Sequence, residues 1–243
     1  MNQFSVEHYS KSAFFALASS TMIVALLFGA FFFAEPSISH GQVDTSNDFT
    51  IKQVITDETS FLVQPTNVTT SGSINGVSGG NASGTTQFAV ISNNSSGYYV
   101  EITFENNGFG AAMIGDANSS AAIRDYDGDA AGPQPSYGYT ASSAAQFAYT
   151  VSSDTISDTA QSFLNDGGST CNEPAGAANG TTKATKCWKA PSFTGFEIVN
   201  RSNAAVTGAT STLEFDITVP SSAFPVPEAQ TYTATATLTL FTQ

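Results

Sequence analysis

The chain has 243 residues, of which 41% are hydrophobic and 11% charged, with seven Lys plus Arg against twenty Asp plus Glu and a formal net charge of −13. So acidic a balance excludes nucleic-acid binding, which needs a basic patch to displace counterions. The hydrophobic share supplies a real core and excludes disorder throughout. With few charges, the polar surface must come from Ser, Thr, Asn, Gln and Gly, residues that suit strands and turns better than helices.

Residues 13–34, AFFALASSTMIVALLFGAFFFA, are uncharged and long enough to span a bilayer as a helix. Small residues follow at signal-peptidase spacing, Ser37 with Ser39 or Ser39 with Gly41. Residues 1–41 therefore read as a signal peptide or a membrane anchor, and both exports place the rest outside the cell or on its surface. Membrane contact is expected through this segment alone. The two histidines, His8 and His40, lie in or beside it, so the exported part holds none. That removes Ser–His–Asp and Cys–His catalysis and any imidazole zinc site.

Residues 42–48, QVDTSND, form a polar linker, and residues 49–243 are expected to be one β domain. The run 49–63 fits two strands or one long bent strand, and the Gly-rich residues 64–85 fit short strands and turns. QFAVIS (87–92) and YYVEITF (98–104) flank the short turn Asn93–Gly97 and are expected to pair as an antiparallel hairpin. In the second of them Tyr98, Val100, Ile102 and Phe104 alternate with polar partners, the period of a half-buried strand. Residues 105–140 read as an irregular insertion, QFAYTV (146–151) as a strand, and 154–192 as a second insertion. FTGFEIV (193–199) is a strand with a possible bulge at its glycine. LEFDITV (213–219) alternates cleanly. In the ending TYTATATLTLFTQ, Tyr232, Ala234, Ala236, Leu238 and Leu240 face one way and a threonine row the other, which predicts one strand from Thr231 to Phe241. Short strands with polar turns and no helical period give an all-β fold. The expected form is an antiparallel β-sandwich, immunoglobulin-like or jelly-roll-like, behind an N-terminal hydrophobic helix.

Cys171 and Cys187 are the only cysteines. An isolated pair in an exported chain reads as one disulfide closing a loop, worth roughly 3 kcal/mol through chain entropy. Trp188 is expected to cover it. Lys183, Lys186 and Lys189 read as a solvated loop. Asp125, Asp127 and Asp129 alternate around Gly128, which makes them candidate calcium ligands. The spacing is not that of an EF-hand, and a solvated acidic turn is the competing reading. Tyr126, Tyr137, Tyr139 and Tyr149 form an aromatic group that fits either a sugar-stacking face or sheet packing. Asn67, Asn81, Asn93, Asn94, Asn118, Asn179 and Asn200 each open an N-x-S/T triplet. No pair of carboxylates stands out as a hydrolase motif.

The layout FTIKQVITDETSFLV, IRDYDGD, PSYGYTAS, AQFAYTV, SFLNDGGSTC, CW and TYTATATLTLFTQ resembles uncharacterised exported β-sandwich proteins of candidate-phylum (Patescibacteria-type) bacteria, from about residue 49 to the end. More loosely, the final strand is similar to that of WxL-type surface domains, with Thr237-Leu238-Thr239-Leu240 where the W-x-L motif would stand. The resemblance implies an envelope location and supplies no active site. The expected function is structural, surface-coat or adhesive, without catalysis, with cell-envelope components or further copies of the chain as partners. A carbohydrate-binding module is the alternative, and a fibre subunit that exchanges strands is the third reading.

Overall fold

The structure is a computed structural model that describes residues 50–107, 110–128, 134–141, 143–165, 168–172 and 187–243. The chain divides into two compact units, Met1–Val54 and Ile55–Gln243. Of the first unit, residues 50–54 are described; they form no strand, and Ile51 and Val54 are exposed. The apolar segment 13–34 and the linker 42–48 lie outside the described residues. No described helix is long and apolar enough to cross a membrane.

The second unit is all-β. Its strands, in chain order, are β1 (Thr59–Val63), β2 (Gly80–Ser92), β3 (Tyr98–Phe104), β4 (Met113–Gly115), β5 (Ala122–Asp125), β6 (Ser136–Tyr137), β7 (Gln146–Ser153), β8 (Cys187–Trp188), β9 (Phe196–Arg201), β10 (Ala205–Val219), β11 (Tyr232–Thr233) and β12 (Ala236–Thr242). They make a seven-stranded sheet in the order β1-β2-β10-β7-β5-β4-β11, a three-stranded sheet β12-β3-β9, and the small pair β6-β8. The fifteen-residue β10 is paired along both edges, so Leu213 stands between Thr86 of β2 and Val151 of β7.

One core joins the two larger sheets. Phe104 of β3 lies 5.9 Å from the Phe147 ring and 5.3 Å from the Tyr149 ring, both on β7. Phe88, Val90, Val100, Ile102, Ile198 and Leu213 are buried around them. Each such aliphatic or aromatic side chain contributes about 1.5–3 kcal/mol on leaving water. The alternation of β3 is borne out in full, because Tyr98, Val100, Ile102 and Phe104 are buried and the residues between them are not.

Several expectations are corrected. The fold is not purely antiparallel: β5 runs parallel to β7, with Arg124 opposite Gln146 and Asp125 opposite Phe147. The twenty residues between these strands carry the chain back to the same end, which a parallel pair requires. β2 and β3 do not form a hairpin, since they belong to different sheets. Their link turns the corner between sheets at Gly97, whose φ of +92° suits glycine and whose missing side chain lets the Arg201 carbonyl close in. Among the described residues 50–63 only Thr59–Val63 is a strand, whereas β2 starts at Gly80, inside the supposed turn region. Insertion 105–140 contributes three short strands, and 154–192 contributes β8 and two 3-10 turns, Ile156–Asp158 and Gln161–Phe163. β9 starts after Gly195, and its register shift falls between Glu197 and Val199. Finally, the C-terminal stretch is two strands. β11 pairs with β4 in the large sheet and β12 with β3 in the small one. Its facing is as expected, with Tyr232, Ala234, Leu238 and Leu240 against the core, though Ala236 is exposed.

Candidate functional site

The alternation of β10 decides what the large sheet shows to solvent. Leu213, Phe215, Ile217 and Val219 pack into the core, so Glu214, Asp216 and Thr218 point outward. Asn81, Ser83 and Thr85 stand opposite Thr218, Asp216 and Glu214 on β2, and Gln146, Ala148 and Thr150 stand opposite them on β7. Directly opposed residues share a face. The β2 half of that face is open, with Asn81, Thr85 and Gln87 exposed. The β7 half is covered, with Gln146, Ala148 and Thr150 at 3%, 0% and 2% exposure.

Tyr139 sits at the step between the two halves. Its hydroxyl donates to the Gln146 carbonyl at 2.5 Å and accepts from the Thr218 N–H at 3.3 Å. The Tyr126 ring meets Tyr139 edge-on at 4.9 Å, and the Trp188 ring lies 5.4 Å from Tyr139 at a tilt of 34°. The Tyr126 hydroxyl donates to the Gly138 carbonyl at 3.0 Å. A cleft of about 540 Å³ opens beside this wall, lined by Asn81, Tyr137, Tyr139, Trp188, Asp216 and Thr218. Burial pushes the Asp216 carboxyl above its usual range; the Thr218 hydroxyl, donating to Oδ1 at 3.0 Å, pulls it back and the Glu214 charge adds to the rise. Burial also pushes the Tyr139 hydroxyl up, so it stays neutral.

The disulfide fixes one wall of this cleft. Cys171 and Cys187 are joined, with Cα atoms 5.9 Å apart. Cys187 is buried in the core and precedes Trp188 on β8, which pairs with β6, the strand that carries Tyr137. Lys189, next along, exchanges both backbone hydrogen bonds with Tyr149 of β7.

The expected site residues separate. Tyr126, Tyr137 and Tyr139 gather at the cleft, but Tyr149 is a core residue packed on Phe104 and Phe163. Trp188 joins the group through Tyr139. Asp125 accepts a hydrogen bond from the Ala112 N–H at 2.9 Å, and burial pushes its carboxyl up to about 6. Asp127 is exposed and accepts from Gln146 Nε2 at 2.6 Å. Asp129 lies outside the described residues, and among those described no three His, Cys, Asp or Glu gather as a metal-holding group. Lys183 and Lys186 also lie outside them. Lys189 is not a solvated residue: it is half-buried, with Nζ 5.0 Å from the centre of the Phe196 ring. Among the N-x-S/T asparagines, Asn94 is buried. Its amide donates to the Gln243 carbonyl and its Oδ1 accepts from the Ser96 N–H. Asn67, Asn81, Asn93, Asn118 and Asn200 are exposed, and Asn179 lies outside the described residues.

The sequence marks Asn81 only as an N-x-S/T asparagine and does not bring it or Asp216 to the cleft. The outward alternation of β10 marks Asp216 as a surface carboxylate, but only the register joins it to Asn81, 135 positions away. A second opening, of about 450 Å³, lies between the sheets over Phe147, Phe215, Ile217 and Leu238 and has no charged side chain in its lining. No protein-family model matches the chain, and no curated protein matches it.

Proposed function

We propose that this is an exported cell-envelope protein with an adhesive or surface-coat role and no catalysis. In this reading residues 55–243 form a two-layer β-sandwich behind an N-terminal hydrophobic helix that serves as signal peptide or anchor. The observation that carries the proposal is the closed Cys171–Cys187 bridge, built into the core beside Trp188. Such a bridge persists in an oxidising compartment and would be reduced in the cytosol. The shared core of the two larger sheets supports the sandwich. An acidic chain with few basic residues suits a solvated surface layer.

A second reading, a carbohydrate-binding module, is favoured by the aromatic cleft at Tyr137, Tyr139 and Trp188. Strand exchange between subunits is less favoured. The C-terminal stretch is divided between two sheets, and removing it would open both.

Cell fractionation followed by size analysis of the native protein tests the proposal. The expected result is recovery from the envelope or the medium with no free thiol. A cytosolic protein with two free thiols overturns it.

A further inference from the structure

Resting on that adhesive reading, we propose that the cleft at Asn81, Tyr137, Tyr139, Trp188, Asp216 and Thr218 is a binding site for a neutral saccharide chain. Sugars present patches of C–H on their ring faces and hydroxyls around the rim. A matching site supplies aromatic surface for the first and planar side chains that bridge neighbouring hydroxyls for the second. Both are here. The half-buried Tyr137 and Tyr139 make the aromatic wall, with the buried Trp188 ring packed behind Tyr139, and the Asp216 carboxylate and the Asn81 amide flank it on adjacent strands of the sheet. The cleft, of about 540 Å³, is broadly open to solvent, which suits a ligand laid along the surface rather than one enclosed by it.

Charge and shape narrow the ligand. The side chains around the cleft include Asp216, with Glu214 two residues away on the same face, and Asn81. Uronate and sulfated sugars would be repelled, and hydroxyl donors would be welcomed by a half-buried carboxylate that gains charge-assisted hydrogen bonds. The cleft does not end blindly. Beyond Asp216 the open half of the sheet continues as a polar ladder, Ser83 opposite Asp216, Thr85 opposite Glu214, and Gln87 opposite Thr212, with the Gln87 amide 3.2 Å from the Thr212 hydroxyl. A chain of several units fits such a surface better than a single ring.

The protein carries its own reporter, because Trp188 is its one tryptophan and lines the cleft. Disulfide-intact, unglycosylated protein would be screened on a printed panel of neutral and acidic oligosaccharides. The strongest neutral hit would then be titrated, with hexagalacturonate as the acidic control, by following Trp188 emission and by calorimetry. Saturable binding of a neutral oligosaccharide is expected, stronger for the hexamer than for the dimer, with no response to hexagalacturonate. Tyr137→Ala and the exposed Asn81→Ala should each weaken binding at least tenfold while the far-ultraviolet dichroism stays unchanged. A flat panel, preferred binding of the acidic sugar, or undiminished binding in both folded variants overturns the proposal. Failure here with an envelope-located protein sinks the saccharide site alone. A cytosolic location sinks the adhesive role and leaves the titration to judge the cleft.

Discussion

Tyr137 stands directly opposite Cys187 in the short ladder of β6 and β8, so the disulfide and the aromatic cleft hang on the same pair of strands. Cys187 is bridged to Cys171 and the ring of the adjacent Trp188 packs on Tyr139, so the loop-closing bond and the cleft wall belong to one connected unit.

Breaking that unit should register twice. Closing a loop of this size is worth roughly 3 kcal/mol, which corresponds to about 6–12 °C in Tm for a domain this large. Cys171→Ser with Cys187→Ser should therefore melt lower by about that amount. Its Trp188 emission should also move to longer wavelength as the ring gains water. Melting followed by dichroism and by fluorescence checks both. An unchanged emission spectrum would mean that the bridge does not position the cleft.

Much of the fold was legible wherever one face of a strand is buried and the other wet. Tyr98–Phe104 and Leu213–Val219 alternate because each must hide one side only. Period-2 patterning reports facing, however, and says nothing of partners, which is why β2 and β3 look like a hairpin and are not one. The first half of β2, Gly80–Thr86, is built from Gly, Asn, Ala, Ser and Thr and borrows its extended form from pairing with the better strand β10. β7 is buried on both faces, which no alternation could announce. The cleft was half legible. Tyr137 and Tyr139 are neighbours in sequence, but Asn81, Trp188 and Asp216 reach them only through long-range register.

Arg201 should prove the most sensitive charged position. Its Nη1 meets Asp158 Oδ2 at 2.5 Å in the only ion pair found among the described residues, and Nε and Nη2 donate to the Asn203 and Ala204 carbonyls. Burial raises the Asp158 carboxyl, and the guanidinium offsets part of that rise. Removing one partner of a largely buried pair leaves the other unpaired and costs about 3 kcal/mol or more. Arg201→Ala is expected to lose at least that much in urea unfolding, and Asp158→Asn less, because it keeps an acceptor. Equal and small losses would show the pair to be solvated.

Acidity should stabilise the domain through Asp125. Burial raises its carboxyl to about 6, with the Ala112 N–H and Lys189 acting in the opposite sense. Since the unfolded value is about 3.9, the folded state prefers the protonated form. The stability this group contributes is present below about pH 4 and is lost as pH rises through about 6. Asp125→Asn keeps an oxygen for the Ala112 N–H and removes the titration. Its Tm should exceed that of the native protein by roughly 5 °C or more at pH 7 and approach it at pH 4. Parallel Tm–pH curves for the two proteins would rule the effect out.

Calcium should not raise the Tm. Asp125 and Asp127 each already accept a hydrogen bond from the protein, from the Ala112 N–H and the Gln146 amide. A cation held by these carboxylates would compete with both donors for their lone pairs, which weakens its binding and keeps the gain RT ln(1 + [L]/Kd) small. Melting in millimolar calcium and in chelator should coincide. A rise that Asp127→Ala abolishes would establish the site instead.

The C-terminal stretch offers the sharpest test of how the two larger sheets are joined. β11 hydrogen-bonds to β4 in the large sheet, and after Ala234 and Thr235 the chain continues as β12 beside β3 in the small one. The crossing is itself held, because the Thr235 carbonyl accepts from the Glu105 N–H at 3.0 Å. Leu238 and Leu240 pack against the core while Thr237 and Thr239 stay exposed. Both leucines are partly buried, so truncation removes less than a full core side chain and leaves a smaller void. Leu238→Ala is expected to cost about 1–2 kcal/mol and Thr237→Ala less than about 0.5 kcal/mol, the allowance for a surface change. Deleting residues 231–243 strips β4 and β3 of a neighbour at once and uncovers Ile102 and Phe104, so the truncated chain should not fold. Chemical unfolding of the point variants and dichroism of the truncation check the series. A truncated protein that still melts cooperatively near the native Tm would show that β11 and β12 lie on the domain without holding it together.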